Sequence, residues 1–264
     1  MSKLAIIAGQ GGLPAALVAA LPERPMICAL DGFAPEGLQP DQIFRVERLA
    51  LFLRHLEDQA ITQVIFAGAA QRPRLDPSLF DPQTAQMVPR LLSAMQAGDD
   101  ATLREVIAIF EESGFEVVGV EAIAPALLPT QAVLAGTLTP QHETDASRAE
   151  VITAALGAVD VGQGCVVTQG LCLAVEALPG TDAMLKSIAQ IAPTLRPKGG
   201  LFYKSAKPGQ DRRIDLPTMG IETLRLVAEA NLAGIAFQAG SVICLDLPAM
   251  IAFAKAHDLL LWAR

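Results

Sequence analysis

Lys204, Lys207, Arg212 and Arg213 share residues 204–216 with two carboxylates, Asp211 and Asp215. Cations beside carboxylates can neutralise a phosphate while the acids hold a metal ion or activate water. Pro208, Gly209 and Pro217 prevent one continuous helix through this stretch. The competing assignment is a solvated loop laced with surface salt bridges. A phosphate-handling loop is favoured because proline and glycine punctuate it and its charges are mixed.

Such a loop needs elements to position it. A strand-like run at 200–203 leads in, and a helix-like run at 221–232 leads out. Strand-to-helix loops commonly carry function. The preceding part of this half should contain a helix over 146–156 and two apolar strands, 165–168 and 171–175. Gln169-Gly170 between those strands predicts a two-residue hairpin turn. Thr181 or Asp182 is expected to cap a helix running to about residue 191, a position where an anion or a metal could also sit. Strands at 235–238 and 242–245, a helix over 248–256 and a terminal strand at 259–262 complete a mixed α/β layout.

The first half reads as alternating strands and helices. Strands are expected at 4–8, 26–30, 64–67 and 115–120, and helices at 14–21, 45–59, 83–97 and 101–113. This alternation predicts a Rossmann-like parallel sheet covered by helices. Arg72 and Arg74 lie in a Pro-rich loop. Asp99 or Asp100 is the expected N-cap of the helix after Gly98, and Gly114 its C-terminal glycine. Gly9, Gly11 and Gly12 follow the first strand, with Asp31 about twenty residues on, which approximates a dinucleotide fingerprint. Pro14 at the third glycine position fits that fingerprint badly. The turn's backbone amides could still cradle a phosphate or ribose. The domain boundary falls where periodicity stops and proline recurs, over 121–145, read as a linker. The expected domains are 1–130 and 131–264.

Composition excludes several classes. A chain of 264 residues that is 52% hydrophobic with a net charge of -8 is neither disordered nor a general nucleic-acid binder. Cys28, Cys165, Cys172 and Cys244 sit in apolar runs without C-x-x-C spacing, so buried free thiols in a reducing cytoplasm are expected. His55, His142 and His257 offer no zinc spacing. The uncharged run 122–142 is broken by Pro125, Pro129 and Pro140, which argues against a membrane span. The expected protein is soluble, with room for contact at a membrane surface. No Ser-His or Cys-His pair is evident, so direct attack by water is preferred over a covalent intermediate.

Several motifs then agree in order and spacing. They are Gly98-Asp-Asp-Ala-Thr-Leu-Arg, Phe110-Glu-Glu-Ser-Gly-Phe, Asp160-Val-Gly-Gln, Val175-Glu-Ala and Gly180-Thr-Asp-Ala-Met-Leu. Lys207-Pro-Gly-Gln-Asp-x-Arg-x-Asp-Leu-Pro and Ala233-Gly-Ile-Ala-Phe-Gln-Ala-Gly follow. Together they resemble the LpxI-type UDP-2,3-diacylglucosamine pyrophosphatases over nearly the full length. Arg213, Ile214 and Met219 depart from the common pattern without touching the motif's acids.

The resemblance implies a Mg2+-dependent hydrolase of lipid A biosynthesis, with Mn2+ as the alternative metal. It implies release of UMP and 2,3-diacylglucosamine 1-phosphate (lipid X), two domains with lipid bound between them, and a homodimer. The enzyme would be cytoplasmic, with room for peripheral contact at the inner membrane. The family's catalytic Asp lands on Asp215. Asp211 and Lys207 join it as catalytic candidates. Asp215 and Asp182 are candidate metal ligands, although Asp211 or Asp100 could equally supply the second carboxylate. Gly9, Gly11, Gly12, Gln163, Thr181, Lys204, Arg212, Arg213 and Thr218 are candidate substrate contacts. Competing functions are a non-catalytic nucleotide-sugar or lipid carrier, and a dinucleotide-dependent oxidoreductase using the Gly9 turn.

Overall fold

The computed structural model describes residues 3–70, 74–195 and 197–264; the side chains of Asp99, Asp100 and Pro193 also lie outside the described set. Arg72 therefore lies outside the described residues. The chain divides into two compact units. One comprises the residues up to Ala124 together with Asp211–Asp215. The other comprises Pro125–Gln210 and Leu216–Arg264.

The first unit is built on five strands. In chain order its elements are β1 (Leu4–Ala8), α1 (Leu13–Ala20), β2 (Met26–Leu30), β3 (Gln42–Phe44), α2 (Leu49–Asp58) and β4 (Gln63–Ala67). Then come α3 (Pro82–Ala97), α4 (Asp99–Glu112), β5 (Glu116–Val117) and α5 (Val120–Ile123). The sheet runs β3-β2-β1-β4-β5, and every pair is parallel. Central β1 is apolar throughout and buried over four of its five residues, the composition a parallel strand needs when both faces are covered. Phe52, Phe110 and Phe115 lie in its core, with Phe44 stacked on Phe52 at 4.0 Å. Helix α4 ends as expected. Gly114 adopts φ +89°, its N–H bonds the Glu111 carbonyl, and the Phe115 N–H bonds the Phe110 carbonyl.

The second unit contains β6 (Ala132–Ala135), α6 (Pro140–Ala158), β7 (Gly164–Thr168), β8 (Leu171–Val175), α7 (Gly180–Ala189) and β9 (Leu201–Lys204). After these come β10 (Thr218–Met219), α8 (Ile221–Glu229), β11 (Gly234–Phe237), β12 (Ile243–Cys244), α9 (Leu247–Ala256) and β13 (Leu260–Ala263). Its main sheet has the order β6-β13-β11-β9-β7-β8. Strands β9, β11 and β13 are mutually parallel, while β6, β7 and β8 join antiparallel. Side chains alternate across it. Phe202 and Val166 join residues of α7, α8 and α9 in one core; Tyr203 and Cys165 join α6 in another. A short parallel pair, β10 with β12, stands apart.

Most expected elements are present, and the fold class is the one the sequence indicated: a parallel sheet followed by a mixed α/β unit. Several details differ. Residues 121–145 are not a bare linker: β6 pairs with β13, and α6 begins at Pro140 behind the Thr139 side chain. Prolines read as breaks there include one that starts a helix. The run 115–120 forms only a two-residue strand before turning into α5. Neither Asp99 nor Asp100 is the cap of α4; Gly98 is, at φ +123°. Likewise α7 starts at Gly180 after Pro179, so Thr181 and Asp182 lie inside its first turn. Cys28, Cys165 and Cys244 are buried, and burial pushes each thiol up to about 12. Cys172 is exposed instead, because β8 is an edge strand.

Candidate active site

The glycines after β1 serve a backbone approach. The Gly9 N–H bonds the Ala67 carbonyl, and Gln10 and Ala69 exchange two backbone bonds. A Cβ on Gly9 would stand 2.5 Å from the Ala69 carbonyl oxygen. This zipper joins the β1 and β4 loops where the strand order reverses, the usual ligand position in such sheets. Gly11 takes φ +89° with open space around its Cα, and Gly12 caps α1. Asp31 faces Arg45 at 3.7 Å.

The charged stretch is divided between the units. Its centre, Asp211–Asp215, belongs with the first. Arg213 closes a fork on Asp211 at 2.7 Å and reaches Glu111 at 2.6 Å. The Arg213 backbone passes close to Gly119, where an added Cβ would lie 3.2 Å from the Arg213 Cα. Ile214 packs against that unit's core. Arg212 reaches Glu121 at 3.2 Å. The Arg213 fork outweighs partial burial and holds the Asp211 carboxyl below its usual range. Both Asp211 oxygens therefore serve the loop itself. Half-buried Asp215 sits in the same segment, its N–H on the Asp211 carbonyl.

The lysines lie in the second unit. Exposed Asp160 accepts a 2.6 Å bond from the Lys207 ammonium. Close by, Gly157 leaves room for Pro208, whose Cδ would be 2.8 Å from an added Cβ. Lys204, at the end of β9, is only 5% exposed. Its Nζ lies 2.6 Å from the Thr181 hydroxyl and 3.8 Å from Glu176, itself 8% exposed. Burial pushes the Lys204 amine down, against the opposing charges of Glu176 and Asp182. Gly164 makes space for the carboxylate: a Cβ there would lie 2.5 Å from Glu176 Oε2 and 2.9 Å from the Phe202 ring.

Of the residues singled out in the sequence, Lys204 and Thr181 are brought together, as are Asp211, Arg213 and Asp215 along one segment. Asp182 is exposed in the first turn of α7. The Gln163 carbonyl accepts from the Ser205 N–H, and its side-chain oxygen is buried without a hydrogen-bond partner among the described residues. Thr218 lies in β10. Glu176, Asp160, Glu111 and Glu121 were not singled out as site residues, although three of them fall in or beside the quoted motifs. Their signal is pairing with a distant cation, which a linear reading does not display.

Two family models, the LpxI N-terminal domain over residues 3–127 and the LpxI C-terminal domain over 130–262, together match nearly the whole chain. The chain belongs to the LpxI family. It is 36% identical to the UDP-2,3-diacylglucosamine pyrophosphatase LpxI of Caulobacter vibrioides, across 96% of this chain and 94% of that protein. Within the LpxI C-terminal domain match, Asp211–Asp215 is the segment that groups with the first unit. Among the described residues no helix is long and apolar enough to cross a membrane.

Proposed function

We propose that this LpxI chain hydrolyses the pyrophosphate bond of UDP-2,3-diacylglucosamine, releasing UMP and lipid X for lipid A biosynthesis. The observation that carries this reading is the family match across both domains, to a relative bearing that activity in its name. The chain's own chemistry supports it. The substrate pyrophosphate is anionic, and the stretch 204–216 supplies four cations beside Asp215.

Residue roles follow from their surroundings. Asp215 is the catalytic carboxylate and accepts the proton of the attacking water on a carboxylate oxygen. Asp211 orients Arg213 and holds the turn that carries Asp215. Thr181 contacts the substrate's charged portion with the Lys204 ammonium bonded behind it, and Lys207, drawn to Asp160 at 2.6 Å, offers a further cation. The donor chemistry fits a hard divalent cation. Carboxylate oxygen is what Mg2+ or Mn2+ takes, and no group of three His, Cys, Asp or Glu side chains converges among the described residues. Mg2+ usually takes one or two carboxylates and completes its shell with waters and substrate phosphate. When bound at Asp215, such an ion would polarise a phosphoryl oxygen and acidify water. The proposal includes a cytoplasmic homodimer that meets its diacylated substrate at the inner-membrane surface.

The test is incubation with UDP-2,3-diacylglucosamine and Mg2+, with products read by mass. UMP and lipid X are expected, with loss of activity in EDTA and recovery on adding Mg2+ or Mn2+. Tight binding without products would make the protein a carrier, and full activity after exhaustive chelation would remove the metal from the mechanism.

A further inference from the structure

The Lys204 cluster has a feature that phosphate binding alone does not require. Glu176 Oε2 is buried, has no hydrogen-bond partner among the described residues and stands 3.8 Å from Lys204 Nζ. Leaving one oxygen of a buried carboxylate so sparsely satisfied is unfavourable, and an apolar pair of similar volume would often be at least as stable. Gly164 is shaped around it, since a Cβ there would strike Oε2. The Glu176 backbone is fixed too, its N–H on the Gly164 carbonyl at 2.8 Å. A costly group held this firmly calls for a role beyond stability.

We propose that Glu176 and Lys204 are positioning residues that fix the polarity of the Thr181 hydroxyl, making it an obligate hydrogen-bond donor to a phosphoryl oxygen of the substrate. An ammonium has three donors and no lone pair. While Lys204 is charged, its 2.6 Å contact must be donated to Thr181 Oγ1, so the hydroxyl hydrogen has to point elsewhere. A neutral amine could accept that hydrogen instead and turn the hydroxyl inward. Burial pushes Lys204 toward the neutral form, and Glu176 opposes it, with exposed Asp182 contributing charge from the same helix turn. Thr181 is half-buried at the second residue of α7 and so remains reachable by a ligand. The positive end of that helix favours an anionic acceptor there.

This inference rests on the proposed hydrolysis, and one set of assays separates the two. Wild-type protein that releases no UMP from UDP-2,3-diacylglucosamine overturns both. Given wild-type turnover, Thr181→Val is expected to raise KM about tenfold, the size of one charge-supported hydrogen bond, while Thr181→Ser stays within about threefold of wild type. Glu176→Gln/Lys204→Met removes both buried charges. It should keep a near-wild-type Tm, show the same raised KM, and lose little more when Thr181→Val is added. A merely structural role would lower the active fraction, and hence kcat, at unchanged KM. Unchanged KM in Thr181→Val overturns the proposal even if the double variant fails to fold. Equal losses from Thr181→Val in both backgrounds overturn it as well.

Discussion

Lys204 and Arg213 stand in one charged stretch, yet their surroundings are opposite. Lys204 is enclosed, with one hydroxyl at 2.6 Å and one carboxylate at 3.8 Å. Arg213 is 38% exposed in its side chain and holds two carboxylates, at 2.7 and 2.6 Å. The exposed cation is amply paired and the buried one sparsely. Surface pairs contribute little to stability, whereas a broken buried pair strands a charge. The difference teaches that the Arg213 network shapes the loop bearing Asp215, while the Lys204 cluster retains a buried carboxylate oxygen with no hydrogen-bond partner among the described residues.

The largest effect should come from the loop's acid. Asp215→Ala is expected to lower kcat by at least about a thousandfold while substrate binding persists, because an acid acting on the attacking water works mainly in the transition state. Turnover near wild type in a folded variant would remove Asp215 from the chemistry. Next is the buried side of the comparison. Lys204→Ala leaves Glu176 enclosed without its counter-charge and should destabilise the fold by about 3–5 kcal/mol, measured by chemical unfolding. Arg213→Ala should cost no more than about 1 kcal/mol by the same measurement. Equal losses in the two variants would erase the distinction drawn between the regions.

The smallest effects lie in pH dependence, and each region has a definite sign. Asp211 titrates lower in the fold than in the unfolded chain, so the unfolded chain binds more protons in that window. Its contribution is present above the ordinary carboxyl value of 3.8 and disappears as pH falls through the folded value. Lys204 also titrates lower than its ordinary 10.5. Stability linked to it therefore rises with pH from its folded value toward 10.5. Comparing each wild-type stability curve with Asp211→Asn or Lys204→Met should flatten the acid and the alkaline limb respectively. A Lys204→Met curve parallel to wild type at alkaline pH would mean that the amine is not perturbed by its enclosure.

Much of the architecture was legible because local pattern and tertiary role agree. The run Leu4–Ala8 is apolar without alternation and becomes a central parallel strand. Gln169-Gly170 becomes a hairpin turn with positive φ at both residues. What the sequence conceals is long-range. The Asp145 carboxylate, carried on α6, accepts the N–H groups of that same turn, a contact between residues 24 and 25 positions apart. Strand β6 lies in a stretch read as linker because its stability comes from pairing with β13 at the far end of the chain. Glu176 enters the sequence reading only within the Val175-Glu-Ala motif, since only the fold brings it to Lys204. Thr181 and Asp182 looked like caps because their residue types favour that position, but Gly180 at φ +84° already begins the helix.

The central claim is that water, activated at Asp215, cleaves the pyrophosphate bond of UDP-2,3-diacylglucosamine. In-line attack delivers the water oxygen to the phosphorus that is attacked. Hydrolysis of UDP-2,3-diacylglucosamine in 18O-water, with mass analysis of both products, reads this directly. One 18O in a single product, UMP or lipid X, and none in the other is the predicted result. Label in both products, or in neither, would contradict it.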